Sequence, residues 1–324
     1  MDANKLVAIS SITKKLAASL LGAFLLLFLL FHMCANLLVL REDGGEWYSA
    51  FCHFMGTNIF VKVFEVILMA TLLFHIVITA MLWLQNQRAR GTVRYHVRSR
   101  TKTSTGSKVT ILTGILILAF LALHFCHFYL VKVDIVKGTY MAKTEAVQTA
   151  DVATLQQASQ QYGMSPEEFV QQYGAQMEAY ASQLPPEDAK VMQESIGKIR
   201  AAAPVIPFLE KAATQGMLSK DGKWIHKISK EDKAMLETAL HAEVEPDFYF
   251  MARDLFKKPA YALLYILCFA ILWLHLRHAF ESAFQTWGLQ NYKWFPVING
   301  LGILYAWVVC LGFAIVPVVV ALVK

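Results

Sequence analysis

Charge is what this sequence has little of: Asp, Glu, Lys and Arg make up 17% of its 324 residues, while 56% are hydrophobic. A soluble globular domain carries about a quarter of its residues as charges, so that class is excluded. Cysteine is sparse as well. Cys34, Cys52, Cys126, Cys268 and Cys310 show no paired spacing, which argues against a disulfide framework or a cysteine zinc site. There is no Cys-x-x-Cys-His, so a covalently attached c-type haem is not expected. Within the apolar stretches acids are nearly missing, with only Glu65 and Glu281 lying clearly inside them.

What is present is a set of five apolar runs, at about residues 16–40, 59–84, 109–133, 259–284 and 296–323. Each exceeds the roughly 18–20 residues that cross a hydrocarbon core as a helix. The first run is longer than the apolar region of a signal peptide and is expected to persist as a span. The sequence therefore predicts an all-α integral membrane protein with five transmembrane helices. Residues 1–133 hold spans 1–3 and residues 258–324 hold spans 4 and 5.

Lys and Arg near span ends favour the cytoplasmic side. Arg88, Arg90, Arg94, Arg98, Arg100, Lys102 and Lys108 follow span 2 with no acid among them, and Lys5, Lys14 and Lys15 precede span 1. The turn after span 1 offsets Arg41 with Glu42, Asp43 and Glu46. This asymmetry predicts a cytoplasmic amino terminus and an outside carboxyl terminus. The formal charge of +6 is thus explained by topology and by anionic lipid or an inside partner, and no nucleic-acid role is expected.

Residues 134–257 differ in composition from the rest. They hold 18 acids and 13 Lys or Arg, a net charge of −5, against +11 for the remainder of the chain. Ser165-Pro-Glu-Glu reads as a helix start, followed by Phe169, Tyr173, Met177 and Tyr180 at helical intervals. The expectation is a mostly helical extracytoplasmic insert of three or four amphipathic helices, with the Gln- and Ala-rich stretch 151–161 a mobile portion.

Polar residues deep in a span cost a few kcal/mol and need a partner or a role. His32, His75 and His275 are each the 17th residue of their run, and His124 is the 16th of its own. Each therefore lies about 24 Å along a helix roughly 37 Å long. Because successive spans alternate in direction, His32 and His124 fall toward the outside, and His75 and His275 toward the inside. The two layers stand on the order of 10 Å apart. Two imidazoles from different helices in each layer suit bis-histidine ligation of two b-type haems inside a bundle of the first four helices. Gly22 and Gly114 lie ten residues before the histidines of their own spans, near the level of the inner layer, where a missing side chain clears space. Imidazoles also suit zinc and copper. A membrane metal-ion transporter is therefore the main competing reading.

These residues resemble the cytochrome b membrane-anchor subunit of succinate dehydrogenases and fumarate reductases, of the five-span, two-haem, menaquinone-linked type. The resemblance rests on Gly22-Ala-Phe through His32-Met, Cys52-His53-Phe-Met, His75, Thr113-Gly114 with His124, and His275 followed by Phe284-Gln-Thr-Trp-Gly288. It implies a bacterial cytoplasmic membrane, two haems b on His75/His275 and His32/His124, and cofactor contacts at Gly22, Gly114 and Trp287. It also implies electron relay between menaquinone and an iron-sulfur subunit, itself served by a flavoprotein carrying FAD. His53 is a candidate for quinone contact or proton transfer, and His127 and His278, three residues past two ligands, for contacts on the same faces. The Phe284–Gly288 stretch argues against the related cytochrome b anchors of other quinone-linked dehydrogenases. Two features depart from the family: Trp273 stands where some members carry a glutamate, and the insert replaces a short loop.

Overall fold

A computed structural model describes residues 10–92, 105–289 and 291–323. Lys5, Arg94, Arg98, Arg100 and Lys102 of the topology argument lie outside the described residues. The chain divides into two compact units. One comprises Met1–Leu40, Phe51–Phe125 and Arg253–Lys324, and the other Arg41–Ala50 and Cys126–Ala252.

The spans run Ser11–Leu40, Ile59–Arg90, Val109–Lys132, Pro259–Thr286 and Phe295–Leu322, and all but the end of the third, from Cys126 on, lie in the first unit. All five helices are long and apolar enough to cross a membrane, so the chain reads as a multi-pass membrane protein. Local chemistry sets their ends. The Ser10 hydroxyl accepts from the Thr13 amide at 3.1 Å, and Asn58 Oδ1 accepts from the amides of Phe60 and Val61 at 2.9 and 3.3 Å. Both caps satisfy donors that a helix start leaves without intrahelical partners. The second span stops at Gly91 with φ +70°, after Arg88 and Arg90 in its last turn, where cations suit the negative end of the helix dipole.

Span 4 is the hub, packing on spans 1, 3 and 5, while span 2 packs on span 1 and span 5 also reaches span 1. Glycines allow the closest approaches. A Cβ at Gly302 would stand 2.9 Å from the Phe280 ring, and one at Gly312 would meet Met33, so these positions bring span 5 against spans 4 and 1. The Tyr305 hydroxyl donates to the Leu26 carbonyl at 2.5 Å, and Ser19 Oγ donates to the Ala283 carbonyl at 3.4 Å. Span 5 is thus an integral neighbour of the histidine-bearing helices.

The second unit differs from the sequence expectation. Its helices are α1 (Thr144–Val147), α2 (Ala150–Tyr162), α3 (Pro166–Ala181), α4 (Pro186–Ala202), α5 (Val205–Thr214) and α6 (Lys230–Leu240). A three-stranded antiparallel sheet of β1 (Tyr140–Lys143), β2 (Trp224–Ile228) and β3 (Val244–Pro246), in the order β2-β1-β3, accompanies them. The strands are short, and their residues are buried consecutively rather than alternately, so they give no period-two signal. The stretch 151–161 is ordered helix. Thr149 caps α2, and Val152, Leu155 and Ser159 turn inward from it, joining a core that includes Tyr140, Ile206, Ile225 and Leu236.

Helix α3 begins at Ser165 with a reciprocal capping box. Ser165 N donates to Glu168 Oε2 at 2.9 Å, and Glu168 N donates to Ser165 Oγ at 3.3 Å. Phe169 packs toward the core and stacks on Tyr173 at 4.8 Å, while Tyr180, at the same helical interval, is 58% exposed. The acidic turn after span 1 belongs to this unit. Glu46 Oε1 accepts from Asp221 N at 2.9 Å, and the Glu42 carbonyl accepts from Lys220 Nζ at 3.1 Å.

Two polar clusters brace the second unit. Asp247, fully buried, accepts from the amides of Lys227 and Phe250 at 3.1 Å each and pairs with His226 Nδ1 at 3.0 Å. Asp134, at φ +59°, accepts from the Tyr140 hydroxyl at 2.9 Å and pairs with Lys233. The Lys233 ammonium also lies 4.6 Å from the centre of the Tyr140 ring. Lys233 holds the Asp134 carboxyl below its ordinary range, while burial, reinforced by Asp134, pushes the Tyr140 hydroxyl up to about 12.

Candidate functional site

The four histidines of the spans fall into two sets: His32 and His124, whose rings approach each other, and His75 and His275, each held by a neighbouring helix. His75 extends from span 2 against span 1, where its Nδ1 lies 3.2 Å from the Ala18 carbonyl. A carbonyl only accepts, so Nδ1 carries the proton and Nε2 keeps its lone pair. One turn on from Ala18 is Gly22, whose absent Cβ would stand 3.4 Å from His75 Cε1. A Cβ there would be in van der Waals contact with the imidazole.

The same construction recurs between spans 3 and 4. His275 Nδ1 lies 3.3 Å from Thr113 Oγ1, and that hydroxyl donates to the Thr110 carbonyl at 2.9 Å. With its proton committed to Thr110, the Thr113 oxygen accepts from Nδ1–H, and Nε2 of His275 is again the available lone pair. Beside Thr113, a Cβ at Gly114 would come 3.8 Å from His275 Cε1. Both imidazoles are therefore held through Nδ1 by a helix other than their own. This is the support that metal-bound histidines generally receive, because it fixes the tautomer and the ring orientation. His275 is also within electrostatic reach of His75 and His278.

In the second pair the rings of His32 and His124 stand 6.1 Å apart between centroids, at 81°. Two nitrogen–metal bonds of about 2 Å, plus about 1 Å from each nitrogen to its ring centre, total on the order of 6 Å. One metal ion fits that separation. Phe28 stacks on His32 at 5.3 Å and 16°, and Phe313 of span 5 approaches it at 5.7 Å. Asn36 Nδ2 lies 3.4 Å from His32 Nδ1 and donates to the His32 carbonyl at 2.7 Å. His124 is flanked by Phe120 at 6.0 Å and Tyr265 at 6.4 Å.

Glycines lie beside His75 and His275, and aromatic rings surround His32 and His124, a lining that would fit a flat apolar macrocycle. The neighbours seen at His32, His75 and His275 are an amide, a carbonyl, a hydroxyl and aromatic rings rather than carboxylates.

The remaining candidates are dispersed. Trp287 caps span 4 and packs on Phe284 at 5.4 Å, and its buried Nε1 has no hydrogen-bond partner among the described residues. His53 is half-buried on the helix Glu46–Thr57, ahead of span 2, and its carbonyl accepts from Thr57 Oγ1 at 2.8 Å. His127 lies in a π-helical turn, Phe125–Tyr129. The wider turn removes the α-helical phase that would set it on the face of His124. Trp273 packs on Trp307 at 5.1 Å.

Sequence reasoning missed Ala18, Asn36, Tyr265 and Phe313 as neighbours of the candidate ligands. Asn36 and Phe28 sit one turn after and before His32, a spacing that was open to reading. The Ala18 carbonyl has no side-chain signature. No family model, curated protein or solved structure matches this chain.

Proposed function

We propose that this protein is the di-haem cytochrome b anchor of a succinate:menaquinone oxidoreductase or quinol:fumarate reductase. The observation that carries the reading is the approach of the His32 and His124 rings, together with His75 and His275, each held through Nδ1 against the glycine-bearing face of a neighbouring helix. His75 and His275 would hold one haem and His32 and His124 the other, arranged as a bundle of the first four spans with Phe313 of span 5 closing the outer pair. When bound, haem supplies one-electron redox chemistry.

The chain's own residues do the rest. Nδ1 anchoring presents each inner Nε2 and sharpens its donation, and the apolar rings exclude water from the outer pair. Gly22 and Gly114 leave the inner imidazoles room to stand upright, and Trp287 contributes a buried donor near the inner end of span 4. Family resemblance, not geometry, suggests the partners: menaquinone in the bilayer, an iron-sulfur subunit on the basic inner surface, and a flavoprotein with FAD. His53 is carried forward on the same footing, as a quinone-contact or proton-transfer residue near the outer surface.

Purified full-length protein should show sharp reduced α-bands of the b type, with about two haems per chain, one for each ligand pair. His75→Ala and His275→Ala should remove one spectral component, and His32→Ala and His124→Ala the other. A colourless protein that binds zinc or copper would refute the haem reading and favour metal-ion transport. Losses pairing in any other combination would refute the layer assignment.

A further inference from the structure

We propose that the protein self-associates in the membrane through span 4, about a two-fold axis parallel to the bilayer normal, with Arg277 of each copy paired to Glu281 of the other. Span 4 carries a cation in an unusual place. Arg277 is the 19th of its 28 residues, about 14 Å from the Thr286 end. With the span centred, that is roughly 7–8 Å inside the hydrocarbon edge. The side chain is nonetheless exposed. An arginine that served only to anchor the span would reach for the nearer surface. Its guanidinium instead lies over the ring of Trp273, 5.8 Å from the ring centre and one turn toward the middle of the span. None of the ion pairs among the described residues includes Arg277.

Glu281, one turn further along, is the only acid of span 4, yet the two do not pair within the chain. Long side chains on a helix lean toward its amino end, so Arg277 leans away from Glu281. A base four residues before an acid is also the weaker order for a helical ion pair. Both residues stand on one stripe. Leu263, Leu267, Ala270, Leu274, Arg277 and Glu281 follow each other at alternating steps of four and three residues, the spacing of a helix–helix seam. Spans 1, 3 and 5 pack on span 4 and leave this stripe largely uncovered. Leu263 and Leu267 are 67% and 59% exposed, Ala270 and Arg277 are exposed, and Leu274 and Glu281 are half-buried. The small Ala270 lets a second helix come close.

Charge selects a second copy as the occupant. Across a two-fold axis the seam meets itself at equal depth, so each Arg277 stands one turn from Glu281 of the other copy. Glu281, leaning toward the amino end of its helix, rises to that level. Two reciprocal ion pairs then form where each copy alone turns a guanidinium to lipid. A phospholipid phosphate would suit the cation but not the carboxylate beside it, and it lies at the surface, away from a guanidinium turned toward the middle of the span.

Full-length protein labelled at its carboxyl terminus with donor or acceptor dyes, in phosphatidylcholine vesicles at graded protein-to-lipid ratios, should show energy transfer that follows a monomer–dimer equilibrium. Arg277→Glu and Glu281→Arg should each lose the dimer, because like charges then face each other across the seam. Mixed together, the two variants should regain wild-type energy transfer, since each supplies the charge the other lacks. Ala270→Phe, an apolar exchange compatible with insertion, should lose the dimer by bulk, while Leu304→Phe on the exposed face of span 5 should keep it. Wild-type energy transfer at the random-proximity level at every ratio would overturn the proposal. So would a dimer that survives both charge variants, or one that survives Ala270→Phe. Phosphatidylglycerol retained by a wild-type monomer and released by Arg277→Leu, read by native mass spectrometry, would overturn it in favour of an anionic lipid site. Should the charge variants fail to insert, Ala270→Phe against Leu304→Phe decides alone.

Discussion

On the proposed haem reading, Thr113→Val is the most exacting substitution for the His75/His275 site, because it keeps the shape of the side chain and deletes a single acceptor. Thr113 is 4% exposed, and its hydroxyl takes the Nδ1 proton of His275 at 3.3 Å while donating to the Thr110 carbonyl. In the variant, the imidazole N–H stays in an apolar setting without that acceptor, at a cost of about 1–3 kcal/mol. The Thr110 carbonyl loses much less, since it keeps its place in the helical ladder. A penalty of that size is about 5- to 150-fold in affinity, overlapping the 10- to 100-fold expected when the outer partner of a metal-bound histidine is removed. The assay is haem titration of the cofactor-depleted protein, followed separately at the two α-band components. Weakening should be confined to the component lost in His275→Ala, and Thr113→Ser, which retains the hydroxyl, should bind close to wild type. Equal affinity of Thr113→Val for both components would refute the assigned role of Thr113, as would weakening of the other component alone.

The second unit gives further expectations, all readable by amide hydrogen exchange of residues 134–252 in the intact protein. Asp134 has a depressed pKa, so its contribution is present above the ordinary carboxylate range and is lost as the pH falls through the folded value. Tyr140 is raised to about 12, so its contribution holds below the ordinary value of 10 and disappears between there and 12. Exchange near β1 should therefore accelerate at both extremes, and a profile flat below pH 4 would count against the Asp134 pair. Asp247→Ala strands a buried imidazole and two amides and should cost about 3–5 kcal/mol, visible as loss of protection in β2. Gly45→Ala combines φ +96° with a Cβ 2.5 Å from the Tyr249 ring. It should loosen the turn after span 1, whereas Gly163→Ala, with open space at its own positive φ, should cost only the conformational strain of about 1–2 kcal/mol.

The five spans were legible because a hydrocarbon core demands a length and composition that few other environments do. The meeting of His32 with His124 was legible because antiparallel direction turns equal counts into depths. Other features left no such trace. Ala18 acts through its backbone, so no residue type announces it, and Thr113 is one of many threonines able to bond their own helix. Phe313 belongs to a span with no histidine and so lay outside the ligand argument. In the second unit, β1 and β2 are buried at successive residues, and the chain segment Arg41–Ala50, far away in sequence, completes the same unit. Long-range association of that kind has no local periodicity to read.

The two histidine pairs are supported differently, and the difference predicts separable behaviour. The inner imidazoles are tied by Nδ1 hydrogen bonds to neighbouring helices, which fixes both tautomer and rotation. His32 meets an amide from its own helix, and its ring orientation comes mainly from stacking on Phe28 and contact with Phe313. An aromatic stacking pair contributes about 0.5–1.5 kcal/mol beyond area burial, enough to hold a ring in one rotamer but not to lock a tautomer. Phe28→Ala should therefore leave the inner component untouched and alter the relative ligand-plane angle in the outer one, which electron paramagnetic resonance reads as a displaced or broadened low-spin signal. If Phe28→Ala shifts the inner signal and spares the outer, the ring packing around His32 is not what orients it. The account of the outer pair would then have to rest on Asn36 alone.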